Sequence, residues 1–388
     1  MEPRRDVGVV LSGGGVNGVM MELGFLRRLR ESPLWDRIAV IFGTSSGALS
    51  GSLAALDRLV DLEAFLMSLQ PEQTFRPNRL WRLPFLGLHD YVLPRTIEDN
   101  FGDLHVLARE VADAPIELVV LATDVTDDHE RPEDGYELVY SSRETTPEVL
   151  AQAIIASAAI SALVMPLRVG DRIATDGSWV RNFPLGRAYE HADVETIVAF
   201  RYLPRYPRVG TAPLSRLRQR LQPFRRVAPV RAFVSELESA EERAQRGEPA
   251  HLADMIVRLA RVSILRNTQL EELHADEKDQ SLHELHELRR DILELVEDLE
   301  TVAAIERRFA QARFPFRHDR TLPRITVRGT VEGSGLDPGF RNQARWLDEE
   351  KRLLIRRGYD LTDSELAPFE AAAPEAGATE PYTAGSGA

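Results

Sequence analysis

The sequence predicts an α/β fold built on a mainly parallel sheet, and three observations carry that prediction. Over the first 200 residues, short apolar runs suited to strands alternate with longer segments suited to helices. Two of the runs end in glycine-rich clusters, Gly13-Gly14-Gly15 and Gly43-Thr44-Ser45-Ser46-Gly47, where a strand turns straight into a helix. The composition, 43% hydrophobic and 28% charged over 388 residues, is that of a globular chain able to bury a sizeable core.

The elements follow in order. Val7 to Leu11 is the first strand, and Gly18 to Arg30 reads as a helix with Met21, Phe25, Leu26 and Leu29 along one side. Ile38 to Phe42 is the second strand, followed by a helix through Leu56. Later strands are expected at Ile116 to Ala122, Tyr136 to Ser141, Met165 to Thr175 and Glu195 to Phe200. Val149 to Leu167 is uncharged over 19 residues, near the length of a membrane span. Its alanines and serines, with Gln152 and Pro166, instead suit a small-residue helix leading into a buried strand.

Composition then shifts. Arg201 to Arg231 holds nine arginines, five prolines and no acidic residue, and residues 233–314 are acidic, helical and almost free of glycine and proline. Leu288, Ile292, Leu295, Leu299, Val302 and Phe309 follow a helix seam, with Glu306 at one apolar position. A further strand at Arg324 to Val331 and a helix at Arg341 to Arg357 resume the earlier pattern. The expected organisation is the first part of an α/β core over 1–203 and a basic Pro/Arg-rich segment over 204–232. A helical subdomain that the core does not require follows over 233–318, then a return to the core over 319–363. The last stretch, 364–388, is a tail too poor in apolar residues to fold. No internal repeat is evident.

Several function classes drop out. With no cysteine there are no disulfides, thiolate metal sites or cysteine nucleophiles, and a net charge of −13 disfavours a general nucleic-acid binder. The N-terminus has no signal-peptide core, so a cytoplasmic location is expected.

The chemistry concentrates at Ser45. Gly43-Thr44-Ser45-Ser46-Gly47 matches G-x-S-x-G between an expected strand and an expected helix, the context of a nucleophile elbow. Gly13, Gly14 and Gly15 follow the first strand, where their N–H groups could serve as an oxyanion hole. Gly13, Gly15 and Gly18 also satisfy the dinucleotide fingerprint. That motif expects an acidic residue ending the second strand, and the chain there runs into the serine motif. For a base, the nine histidines are poorly placed, lying in the helical segment or at loops and element ends. Asp176, in Ala174-Thr175-Asp176-Gly177-Ser178 at the end of an expected strand, is the better candidate, although an Asp-Gly hairpin turn reads similarly.

Three blocks in order resemble the patatin-like phospholipase family: Gly13-Gly14-Gly15-Val16-Asn17-Gly18, Gly43-Thr44-Ser45-Ser46-Gly47, and Asp176-Gly177-Ser178 followed by Asn182-Phe183-Pro184. Ala122-Thr123-Asp124 and Ala156-Ser157-Ala158-Ala159 are similar to family segments as well. The chain departs from the family in Asn17, usually Arg or Lys, and in Ser178, usually Gly or Ala. The resemblance implies a three-layer α/β/α fold with a mainly parallel central sheet plus a helical insertion. It also implies a lipid acyl hydrolase working through a Ser–Asp dyad and an acyl-enzyme, with Ser45 as nucleophile, Asp176 as base and Gly13, Gly14 and Gly15 as the oxyanion loop. No cofactor and no metal are called for. The expected partner is a lipid ester. Residues 201–231 are either a peripheral membrane contact or a linker whose arginines pair with the acidic helices, and the helical segment is a cap, a dimerising coiled coil or a plain subdomain. Trp81 to Leu88 is a lid or simple packing. A transacylase or a catalytically idle lipid-binding protein would share these motifs.

Overall fold

The computed structural model describes residues 4–79, 87, 89–126, 136–160, 163–203, 212–249, 252–312, 321–331 and 345–372. Trp81 to Leu86, Leu88 and residues 373–388 of the expected tail lie outside them, as does residue range 204–211 of the basic segment.

The strands are β1 (Val7–Leu11), β2 (Ile38–Thr44), β3 (Phe75–Pro77), β4 (His89–Tyr91), β5 (Glu117–Asp124), β6 (Glu137–Ser141), β7 (Leu167–Val169), β8 (Arg172–Asp176), β9 (Thr196–Tyr202) and β10 (Arg324–Gly329). The helices up to the third strand pair are α1 (Gly15–Arg30), α2 (Ser46–Ala55), α3 (Leu59–Ser68), α4 (Leu93–Phe101), α5 (Leu104–Asp113) and α6 (Pro147–Ser157). Those beyond it are α7 (Ser178–Arg181), α8 (Leu185–Glu190), α9 (Ala212–Leu221), α10 (Ala228–Gln245), α11 (Leu252–Glu294), α12 (Leu299–Gln311) and α13 (Asp348–Ala372).

One eight-stranded sheet organises the molecule in the order β10-β9-β1-β2-β5-β8-β7, with β6 also on β5. From β10 to β5 all pairings are parallel. The continuous apolar runs of β1, β2, β5 and β9 are what a sheet covered on both faces requires. Side chains alternate between two cores. Val9, Leu11, Ile41, Val120 and Phe200 face one, and Val10, Phe42, Leu121 and Ala199 face the other. The first core is closed by α1, α2, α3, α5, α6 and α13, while the second takes Phe183, Leu185 and Tyr189 together with Ala275 of α11. The result is the three-layer arrangement expected.

Four expectations need correction. The expected strand Met165 to Thr175 is a hairpin, because Gly170 (φ +60°) turns the chain between β7 and β8, and β8 runs antiparallel to β5. The expected helix seam is broken after Glu294. Asp298 caps a new helix by accepting from the N–H of Thr301 at 2.8 Å, and α12 folds back so that His286 meets Phe309 and Arg289 pairs with Glu306. Leu288, Leu295 and Leu299 are left exposed by this break.

The helical segment is not separate from the core, since α11 carries Ala275 into the second core and Asp279 onto the Tyr189 hydroxyl at 2.7 Å. Finally, α13 continues through residues 364–372, because buried Arg28 holds Asp363 at 2.6 Å and Glu370 at 2.8 Å and Leu366 is buried. The two helices can touch backbone to backbone because Gly24 of α1 and Gly358 of α13 face each other. A Cβ on Gly24 would lie 2.0 Å from the Ile355 carbonyl oxygen. Among the described residues, no helix is long and apolar enough to cross a membrane.

Candidate active site

Ser45 sits on a strained corner. β2 ends at Thr44, α2 begins at Ser46, and the serine between them holds φ 55° and ψ −119°, a conformation costing on the order of 1–3 kcal/mol for a residue with a Cβ. The flanking glycines make the corner sterically feasible. A Cβ on Gly43 would lie 2.4 Å from the Gly47 carbonyl oxygen, and one on Gly47 would lie 2.5 Å from that of Leu11. The Ser45 N–H donates to Ser157 Oγ at 2.8 Å, whose hydroxyl donates to the Leu121 carbonyl at 2.6 Å, so the corner is tied to β5.

Sheet topology delivers the carboxylate. β2 pairs with β5 as far as Thr44 opposite Leu121, and the next residue, Ala122, pairs with Asp176 of β8. Because β6 occupies the other edge of β5, β2 and β8 meet along one edge with their carboxyl ends abutting. The Ser45 hydroxyl therefore donates to Asp176 Oδ2 at 2.8 Å, while Asp176 Oδ1 accepts from the Ser178 N–H at 2.8 Å. Both side chains are buried, at 5% and 2% exposure. Burial pushes the Asp176 carboxyl above the usual range, and the hydrogen bonds from Ser178 and Ser45 pull it partly back. No histidine among the described residues is bonded to either group; His191, for example, lies by Glu117 at 3.4 Å.

The glycine loop lies beside this pair. Its Gly13 N–H donates to the Asn182 carbonyl at 2.9 Å and its Gly14 N–H to Ser46 Oγ at 2.9 Å, so these two donors already have acceptors. Gly15, at φ +57°, is exposed at the start of α1, where an N–H has no intrahelical acceptor. The N–H groups of Ser46 and Gly47 at the start of α2 stand in the same position, and the α2 dipole adds partial positive charge there.

Sequence reasoning missed three contributors. Tyr91 of β4 is close enough for the Asp176 charge, after burial, to push its hydroxyl up, and it donates to the Ile155 carbonyl at 3.1 Å. Asn267 of α11 grips the segment after Asp176. Its Nδ2 donates to the Ser178 carbonyl at 2.7 Å, and its Oδ1 accepts from the Asn182 N–H at 3.2 Å. The neighbouring Thr268 accepts from Asn182 Nδ2 at 2.9 Å. Glu22 of α1 is completely buried below α2, within hydrogen-bond distance of Ser50 Oγ at 2.9 Å and Ser46 Oγ at 3.5 Å. An apolar cavity of about 30 Å³ lies farther along α2, walled by Leu49, Leu53, Phe65, Phe101 and Ile155.

Residues 9–189 match the family model described as Patatin-like phospholipase. No curated protein matches the chain. Among solved structures, VipD from Legionella pneumophila is similar at 13% identity and a TM-score of 0.41, over 94% of this chain and 67% of that one. A chain of the complex of SpcU with ExoU from the Pseudomonas aeruginosa type III secretion system is similar at 15% identity and a TM-score of 0.24, over 81% of this chain and 70% of that one.

Proposed function

From the match of residues 9–189 to the Patatin-like phospholipase family model, we propose that the chain is a lipid acyl hydrolase that cleaves carboxylic esters of lipids and phospholipids at Ser45. The observation that carries this reading is the 2.8 Å hydrogen bond from a strained, elbow-mounted serine to a buried aspartate.

Asp176 takes the Ser45 proton as Oγ bonds to the ester carbonyl carbon. The tetrahedral oxyanion is held by N–H groups of the glycine loop and of the start of α2. Among Gly13, Gly14 and Gly15, the last has the donor not already used inside the fold. Collapse breaks the bond to the alcohol, which leaves with the proton from Asp176. Water then attacks the acyl-enzyme, passes a proton to Asp176, and the acid departs as that proton returns to Ser45. Burial of Asp176 serves this cycle, because an ordinary aspartate near pKa ~3.9 is too weak a base at neutral pH.

Access to a lipid surface is assigned to the basic segment. Arg201, Arg218 and Arg225 pair with Glu272, Glu241 and Glu238 of the acidic helices, which is the linker role. Exposed Leu217, Phe224 and Val227 stand beside exposed Arg216, Arg220 and Arg226, which supports a contact with an anionic interface.

Labelling with a fluorophosphonate probe tests the chemistry. The wild type is expected to label, Ser45→Ala not at all and Asp176→Asn far more slowly. Labelling retained in folded Ser45→Ala would refute the assignment.

A further inference from the structure

The most deeply buried ionisable group near the site is one that this mechanism leaves idle. Glu22 is on α1, with no exposure, and its hydrogen-bond partners are the hydroxyls of Ser46 and Ser50 on α2. Ser46 is the residue after the proposed nucleophile, and its Oγ is the acceptor of the Gly14 N–H. One side chain thus joins the elbow helix and the glycine loop, the two bodies that must stay in register around a substrate carbonyl.

Among the described residues, no counter-charge faces it. α2 presents only the two serines, and β9 brings the Tyr202 ring against Gly14 and Gly18. On the other packed elements, several titratable groups are engaged elsewhere. Glu63 of α3 takes Arg27, and Asp363 and Glu370 of α13 take Arg28. Lys351 of α13 donates to the Met67 and Leu69 carbonyls, and the Tyr359 hydroxyl donates to Glu31 at 2.5 Å. A carboxylate in that setting would be an unpaired buried anion.

We propose that Glu22 is a positioning residue of the Ser45 site, acting as a neutral carboxylic acid that holds Ser46 and, through it, the glycine loop. The inference rests on Ser45 being the nucleophile. Burial pushes the Glu22 carboxyl up to about 8, so it keeps its proton at neutral pH. The acid O–H then donates to Ser50 Oγ, which passes its own hydrogen to the Ser46 carbonyl at 3.2 Å, and Ser46 Oγ remains aimed at Gly14. Ionisation replaces this chain by a negative charge beneath the start of α2, where the oxyanion must also develop its charge. In a medium of low dielectric the two repel.

The test compares wild type, Glu22→Gln and Glu22→Leu in short-chain ester turnover across the alkaline range, with fluorophosphonate labelling of Ser45 and infrared detection of protonated carboxyl groups on the same samples. The wild-type kcat is expected to fall as pH passes about 8, and Glu22→Gln, which cannot ionise, to lack that fall. Glu22→Leu is expected to lose about tenfold in kcat with KM little changed, and Glu22→Gln to recover most of that loss. A protonated carboxyl band at neutral pH is expected in wild type and absent from Glu22→Gln. An alkaline fall identical in wild type and Glu22→Gln, full kcat in Glu22→Leu, or no such band would overturn the proposal while Ser45 still labels. A folded wild type that neither labels nor turns over ester overturns the nucleophile reading, and this proposal with it.

Discussion

At the proposed site, one physical cause, removal from water, raises the carboxyl groups of both Asp176 and Glu22, with different consequences. Raising Asp176 makes it a better proton acceptor, provided the solution pH exceeds its raised value. The acid limb of kcat/KM is accordingly expected above the ordinary aspartate range, and a limb near pH 4 would contradict the assignment. Glu22 has a consequence for stability. Below its ordinary value of 4.5 both folded and unfolded chains hold its proton, and between there and about 8 only the folded chain does. The unfolded chain binds fewer protons in that window, so stability falls as pH rises, by about 1.4 kcal/mol per pH unit. Glu22→Gln removes that slope, and urea melts should show its advantage over wild type growing from mildly acidic to mildly alkaline pH. Equal slopes would mean that Glu22 ionises in the folded chain as it does in the unfolded one. Ser45, Asp176 and the glycine loop are legible in the sequence because a strand-to-helix corner needs glycine at fixed offsets. Glu22 is not, since a glutamate inside a helical pattern reads as a solvated face until packing encloses it.

Among the elements, α11 links parts of the molecule that the sequence separates. Asn267 fixes the backbone of Ser178 and Asn182, Glu271 pairs with Arg181 and accepts from the Gly186 N–H at 3.0 Å, and Asn182 in turn takes the Gly13 N–H. The helix is therefore a brace for the loop that follows the proposed base. Asn267→Leu leaves several of these backbone groups unpaired, at about 1–3 kcal/mol each where they are buried. It is expected to cut the rate of Ser45 labelling more than it lowers Tm. A fall in Tm with labelling unchanged would make Asn267 a structural residue only. The brace is invisible in sequence because Asn267 lies more than eighty residues from Ser178 and Asn182 and itself belongs to no motif. The seam from Leu288 to Phe309 misleads for a related reason, as a heptad spacing persists in sequence through the break at Asp298, where a cap begins a new helix.

For the molecule as a whole, charge is unevenly spread, with a net −13 against an arginine-rich stretch whose exposed side includes Phe224 and Val227. Flotation with vesicles should be stronger for phosphatidylserine-containing than for phosphatidylcholine vesicles, and weakened by Arg220→Glu with Phe224→Ser. Equal flotation would leave the segment as a linker held by its ion pairs.

The sequence by itself determined the strand-helix alternation, the glycine-flanked corner at Ser45 and the glycine loop, and pointed to Asp176 as the candidate base, because each is set by neighbours a few residues away. Only the tertiary structure decided that β2 and β8 meet end to end on β5, that α11 braces the site and that Glu22 is sealed beneath it. Those facts come from packing between distant segments, where burial and backbone pairing depend on partners that no local pattern names.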